Sequence, residues 1–215
     1  MTSTSANTHG TISTLKTVRG GFSVWVGATR VVTVSTGVVA RVGLRVGGAW
    51  NADVSARVER AARIETIRAA AMRLLKASER SKAALGERLA QKGFDAADIA
   101  SALDELERAG VIDDARAAAT AAHAATRKPT SSAAVEAKLA AKGFDVSTRR
   151  AAVGETGATD DAAAARAVLE PEMKRLGKLD KVAAARRAFG LLARRGFDEQ
   201  IAEDVVRDMI GMDGE

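Results

Sequence analysis

Two aspartate pairs, Asp113–Asp114 and Asp160–Asp161, are the residues whose type and spacing could do chemistry. Adjacent carboxylates can share a proton in acid–base work, or hold a divalent cation through oxygen ligands. A metal set needs more than that. The chain has no cysteine, and its two histidines, His9 and His123, stand alone, with no His-Glu spacing. Thiolate sites are therefore excluded and an imidazole site is unsupported. The glycine-rich "VGLRVGG" at Val42–Gly48 fits neither a phosphate-binding loop nor a dinucleotide fingerprint and reads as turns. Each aspartate pair follows a glycine, in "GVIDD" (Gly110–Asp114) and "GATDD" (Gly157–Asp161). That is the order of a helix stop and a helix start, where a carboxylate accepts the free N–H groups of the next turn. The residues predict no catalytic site, no metal and no cofactor.

The cations are the other chemistry. Arg80, Lys82, Arg88 and Lys92 form one cluster, Lys138 and Lys142 a second, and Arg186, Arg187, Arg194 and Arg195 a third. Arg149 and Arg150 follow the second cluster, and Arg127 and Lys128 precede it. They fit two readings. One is a solvated helix face with i,i+4 partners such as Glu79 and Glu87 and cations at helix C-termini. The other is a shared face for acidic protein surface or nucleic-acid phosphate, whose contacts weaken as salt rises. The formal net charge of +6 is compatible with either and is silent on fold.

What positions these clusters is a four-residue phrase. "KGFD" occurs at Lys92–Asp95 and Lys142–Asp145, and "RGFD" at Arg195–Asp198. A cation suits the last helical turn, and glycine takes the left-handed conformation that closes a helix. Phenylalanine tucks back as an anchor, and aspartate caps the next helix. Gly93, Phe94 and Asp95, Gly143, Phe144 and Asp145, and Gly196, Phe197 and Asp198 are thus the structural anchors of three units. Leu85 and Leu89 before one turn, Ile99, Leu103 and Leu106 after it, and Ile201, Val205 and Met209 after the last keep helical spacing. The expected fold is mainly α: three tandem three-helix repeats over 60–110, 111–157 and 158–211, forming an elongated curved array.

The front of the chain differs. Residues 1–52 hold no Asp or Glu and many Ser and Thr, the composition of an organellar transit peptide. Against that, Phe22, Val24 and Val26 alternate with polar or outward positions, as do Val32 and Val34, with a turn near Gly27–Arg30. A small β-hairpin and short-helix module over 18–59, after a disordered tail at 1–17, is expected. Trp25 and Trp50 serve there as core anchors rather than base-stacking platforms. No apolar run is long enough for a membrane span.

The stretch "SERSKAALGERLAQKGFDAADIASALDELERAGVIDD" (Ser78–Asp114) resembles the first repeat of the RecX family of RecA regulators, and "FGLLARRGFDEQIAEDVV" is similar to that family's last repeat. The segment from Phe22 to Trp50 resembles the β-hairpin and short helix that some members carry ahead of the repeats. Two features depart from the pattern. Ala117 and Ala118 stand where the family usually has an aromatic, and Ser131 and Ser132 stand where a basic residue is usual. The resemblance implies a non-enzymatic, cytoplasmic and monomeric regulator. It would lie in the groove of the RecA filament on single-stranded DNA and hinder recombinase, ATPase and strand-exchange activity in DNA repair. The basic residues above are then its candidate RecA- or DNA-binding set. A helical DNA-binding transcriptional regulator is the alternative, because helix–Gly turn–helix also resembles a helix-turn-helix.

Overall fold

The structure, a computed structural model, describes residues 8–157 and 160–211. It begins with four antiparallel strands, β1 (Gly10–Val18), β2 (Gly21–Val26), β3 (Thr29–Val34) and β4 (Ala49–Trp50), in the order β3-β2-β1-β4. The expected tail is corrected here. Gly10–Val18 is a strand, pairing Leu15 with Val24 and Thr17 with Phe22 on one edge and Gly10 with Trp50 on the other. Its threonines and β-branched residues favour an extended backbone, and Ile12 supplies a buried anchor. Residues 1–7 of that expected tail lie outside the described residues.

The strands fold over α1 (Thr36–Val42), capped by the Ser35 hydroxyl and closed by Gly43 at φ +74°. Ile12, Val24, Val31, Val34, Val38 and Trp50 form the centre of this small core, while Trp25 is half-buried. Next comes α2 (Ala52–Ala77), 26 residues long, so the module boundary expected at 59/60 falls inside a continuous helix. Val58 and Ala61 of α2 belong to the front core, which explains why the chain does not break there.

The remaining helices come in sets, each with a Gly-Phe-Asp turn between its last two helices. α3 (Lys82–Ala90) and α4 (Ala96–Arg108) complete the first set with α2; α5 (Asp114–Ala125), α6 (Ser132–Ala140) and α7 (Val146–Glu155) form the second. In the third, the opening helix is interrupted. α8 (Asp161–Leu169) passes through a 3-10 turn at Glu170–Glu172 into the short α9 (Met173–Leu176), because Pro171 lacks an N–H to continue the ladder. α10 (Lys181–Arg194) and α11 (Glu199–Ile210) finish it.

Two compact units result. One holds the described residues up to Ala77 together with Gly86–Val111; the other holds Ser78–Leu85 and the described residues from Ile112 on. In the first unit, α4 is fastened by a two-rung ladder. The Asp98 carboxylate, 3 % exposed, accepts from Arg60 Nε at 3.2 Å and Arg63 Nε at 2.7 Å. Two turns on, Glu105 accepts a two-pronged bond from Arg41 and faces Arg68 at 3.5 Å. The Arg63 bond, above all, holds the Asp98 carboxyl below its ordinary range, and Arg41 does the same for Glu105; burial opposes both. A carboxylate with a depressed folded pKa stabilises the fold fully above the ordinary carboxylate pKa. That stability is lost as pH falls below about 4, through the window beneath the ordinary value. The first unit should therefore open early in an acid titration followed by hydrogen exchange. Asp98→Asn should flatten that dependence and cost about 2 kcal/mol at neutral pH, discounted because both arginines are half exposed to solvent. An unchanged acid profile in the variant would count against the ladder.

In the second unit, Ala117, Ala118, Ala122, Ala152, Val135, Val153, Leu139 and Phe144 pack together. The alanines that stand in place of the family's aromatic are thus core, and Phe144 is the one large ring they surround. Around Phe197, Leu169, Leu176, Leu192 and Val205 make a larger core.

Candidate interaction surface

The three glycine turns have one geometry. Gly93, Gly143 and Gly196 have φ of +84°, +84° and +79°. The phenylalanine N–H reaches back to a leucine carbonyl each time, Phe94 to Leu89, Phe144 to Leu139 and Phe197 to Leu192, at 3.3–3.4 Å. The glycine N–H bonds Ala90, Ala140 and Ala193 in turn, the paired bonds that close a helix in a Schellman motif. Asp95, Asp145 and Asp198 then cap α4, α7 and α11. Asp145 also receives the Ser147 and Thr148 hydroxyls, which push its carboxyl well below the usual range. The phenylalanines differ in depth: Phe144 and Phe197 are buried, whereas Phe94 is half-buried.

The aspartate pairs divide their labour in a way the sequence does not announce. Asp113 and Asp160 cap their own helices, accepting from Arg116 and Ala163 N–H. Asp114 and Asp161 reach back instead to the middle helix of the preceding repeat. Asp114 accepts the Lys82 N–H at 2.9 Å, and Asp161 the Ser132 N–H at 2.7 Å and its hydroxyl at 3.0 Å. Both pairs are therefore structural. Among the described residues, no group of three or more His, Cys, Asp or Glu is placed to hold a metal ion.

The same helix starts meet the next repeat's turn. Ser81 donates its N–H to the Lys142 carbonyl, and the Ser131 hydroxyl donates to the Gly196 carbonyl. Lys142 Nζ donates to the Glu79 carbonyl at 3.2 Å, and Arg195 Nη1 to the Pro129 carbonyl at 2.8 Å. Ser131 and Ser132 thus join repeats rather than replace a missing cation. The signal was present: Ser81 and Ser131 stand fifty residues apart, the same step that separates Gly93 from Gly143.

This sorts the basic set. Lys142 and Arg195 spend their charge on carbonyls, and Arg149, half-buried, donates to Phe144 O at 3.1 Å. Lys82 is tied at its N–H to Asp114, and Arg80 is half-buried. Exposed and without a hydrogen bond or ion pair to other described residues are Arg88, Lys92, Arg127, Lys128, Lys138, Arg150, Arg186, Arg187 and Arg194. Of these, Arg88, Lys138 and Arg187 hold one position: each lies seven residues after the cap of its middle helix, Ser81, Ser131 or Asp180. The register is hidden in the sequence because α10 runs a turn further than α3 and α6 before its glycine, so a count back from the turn misaligns Arg187.

A chain of three-helix repeats with an exposed cation at one shared position of each middle helix belongs, as a class, with the helical repeat proteins. Comparison with known proteins narrows this. The family described as "RecX, first three-helix domain" matches residues 68–106, from within α2 to near the end of α4. "Regulatory protein RecX" of Amycolatopsis mediterranei (strain U-32) is 32 % identical over 138 residues, covering 63 % of this chain and 78 % of that protein. The protein of the same description from Mycobacterium avium (strain 104) is 36 % identical over 151 residues, covering 67 % and 84 %. The chain belongs to the RecX family. A crystal structure of regulatory protein RecX superposes with a TM-score of 0.73 at 16 % identity, over 94 % of this chain and 99 % of that one. The RecX structure from Lactobacillus salivarius gives 0.58 over 68 % and 96 %. These two establish the fold.

Proposed function

We propose that the chain regulates the RecA recombinase by lying along the groove of the RecA–single-stranded DNA filament, where it hinders filament growth, ATP hydrolysis and strand exchange. It does so as a cytoplasmic protein, monomeric at working dilution, by contact alone, without catalysis or cofactor. The carrying observation is the recurrence of a cation, Arg88, Lys138 and Arg187, at one position of each middle helix, exposed and unpartnered among the described residues. A repeating protein with a repeating charge suits a repeating partner whose surface is acidic or carries phosphate. Lys92, Arg127, Lys128, Arg150, Arg186 and Arg194 extend the same set.

The test is RecA-catalysed strand exchange and single-strand-dependent ATP hydrolysis with stoichiometric protein. The wild type should inhibit both. Reversing Arg88, Lys138 and Arg187 to Glu should raise the half-inhibitory concentration roughly tenfold or more, at about 0.5–1 kcal/mol per surface charge. Helicity should be unchanged, since all three are exposed. No inhibition by wild type, or equal inhibition by the triple variant, would overturn the reading. Arg194 with Arg195 is a poorer pair to reverse, because Arg195 fastens the turn to Pro129.

A duplex-reading regulator is disfavoured by charge. The helices after the first and third turns, where a recognition helix would lie, are acidic. α4 has Asp98, Asp104, Glu105 and Glu107 against Arg108, and α11 has Glu199, Glu203, Asp204 and Asp208 against Arg207. Such helices are repelled by the phosphates that wall a groove.

A further inference from the structure

The repeats contain three helix starts and three glycine turns, and the structure joins two of each. The start of α3 covers the turn at Gly143, and the start of α6 covers the turn at Gly196. A Cβ on Gly143 would meet Ser81 Oγ at 2.7 Å and Ala84 Cβ at 2.8 Å; on Gly196 it would meet Ala134 Cβ at 3.1 Å and Ser131 Oγ at 3.2 Å. The turn at Gly93 and the start of α10 are left over.

Both show what is missing. Among the described residues nothing lies within 4 Å of a Cβ placed on Gly93. Phe94 is half-buried and opens onto a recess of about 540 Å³ beside Ala70, Arg73, Leu74 and Lys92. Lys92 is exposed where Lys142 and Arg195 are half-buried. At the other end, Ala183–Ala188 repeats the order of buried and exposed positions in Ala84–Leu89 and Ala134–Leu139 residue by residue. The match fails just before it. Asp180 is exposed where Ser81 is 1 % and Ser131 0 % exposed, and Lys181 is exposed where Lys82 and Ser132 are half-buried. Leu179 is 41 % exposed where Thr130 is 9 %. These are the residues that a following turn covers in the two internal junctions.

We propose that the start of α10 of one copy seats on the Gly93–Phe94 turn of a second copy, so that molecules add head to tail through the junction that already joins their own repeats. Each part has a counterpart. Ala183 sits over the glycine as Ala84 and Ala134 do. The Asp180 N–H donates to the Lys92 carbonyl as that of Ser81 does to Lys142. Lys92 Nζ donates to the Lys178 carbonyl, the residue two before the cap, as Lys142 does to Glu79 and Arg195 to Pro129. One part is absent: near Ile64, where a back-reaching aspartate would fall, α2 offers Glu65, which already accepts the Ser35 hydroxyl. The contact between copies is therefore weaker than the internal one and forms at high protein concentration. Because the two surfaces differ, a pair joined once still presents one open turn and one open helix start.

Sedimentation velocity over rising concentration reads this directly. The wild-type weight-average mass should climb past twice the monomer without a plateau. Lys92→Glu spoils the turn and Ala183→Arg spoils the helix start, and each alone should stay at monomer mass. Their equimolar mixture should give a particle of twice the monomer mass and stop there, because it restores one intact junction between two blocked ends. Leu179→Glu replaces Ala183→Arg should the latter lose helicity. A wild type that stays monomeric throughout, single variants that associate like wild type, or a mixture that stays monomeric would each overturn the proposal. None of these outcomes bears on RecA inhibition, which is measured separately.

Discussion

Phe144→Ala should remove about 3–4 kcal/mol from the second repeat and expose the amides of α5, α6 and α7 to hydrogen exchange well before those of α10 and α11. The ring is 2 % exposed and shares its core with Ala117, Ala118, Ala122 and Ala152. Alanine side chains cannot swing into a vacated space, so the cavity persists and its surroundings lose contacts that nothing replaces. Leu139 is the one long aliphatic side chain among the buried residues of this core, so repacking recovers less of that loss than in a core lined throughout by leucine or methionine. Against a typical total stability of about 5–15 kcal/mol, the change is large enough to open this repeat locally. The internal comparison is Phe94→Ala. That ring is half-buried beside an open recess, and its loss should cost about 1–2 kcal/mol. Equal costs for the two, measured by chemical denaturation, would mean that the phenylalanines are interchangeable and that the alanine-rich core is not held by Phe144.

Gly143→Ala and Gly93→Ala should differ although their backbones are alike. Both glycines have φ +84°, where a Cβ costs roughly 1–2 kcal/mol. At Gly93 that is the whole expense, since among the described residues the added methyl meets nothing within 4 Å. At Gly143 the methyl would press on Ser81 Oγ at 2.7 Å and Ala84 Cβ at 2.8 Å. Ala84 is a rigid methyl on a helix, so relief requires the first turn of α3 to move off the turn. That movement breaks the Ser81 N–H to Lys142 carbonyl bond and lengthens the Lys82 N–H to Asp114 contact. Overpacking of this kind costs about 1–3 kcal/mol more, so the total at Gly143 is about 2–5 kcal/mol. The gap between the two variants in urea denaturation isolates the junction from the backbone. Equal losses would show that the turn, and not its neighbour, sets the glycine requirement.

The same two sites mark where reading the sequence succeeds and where it stops. The turn itself is local. Glycine at a left-handed position, an aromatic one residue on and a capping aspartate after it need no information beyond four letters, and the bonds of Phe94, Phe144 and Phe197 follow from them. So do the helices on either side, whose leucine spacing is short-range. The strand at Gly10–Val18 was not legible as such. Its threonines and serines are compatible with tail or strand, and pairing with residues as far away as Trp50 decided between them. Nor was the continuity of α2 through residue 59, which rests on Val58 and Ala61 being claimed by the front core.

For the basic side chains, sequence alone supplied the inventory: charge type, number and rough position on helices. It could not tell a cation that holds a turn to its neighbour from one that faces water. Lys142 and Lys92 occupy the same letter of the same phrase, yet Lys142 bonds the Glu79 carbonyl and Lys92 stands exposed. The difference lies in whether another repeat precedes the turn, a contact across more than sixty residues that no local pattern encodes. Capping, helix periodicity and turn chemistry are properties of adjacent residues and so are fixed by the chain as written. Which surfaces remain open for a partner depends on what the rest of the chain has already covered, and only the packed structure decides that.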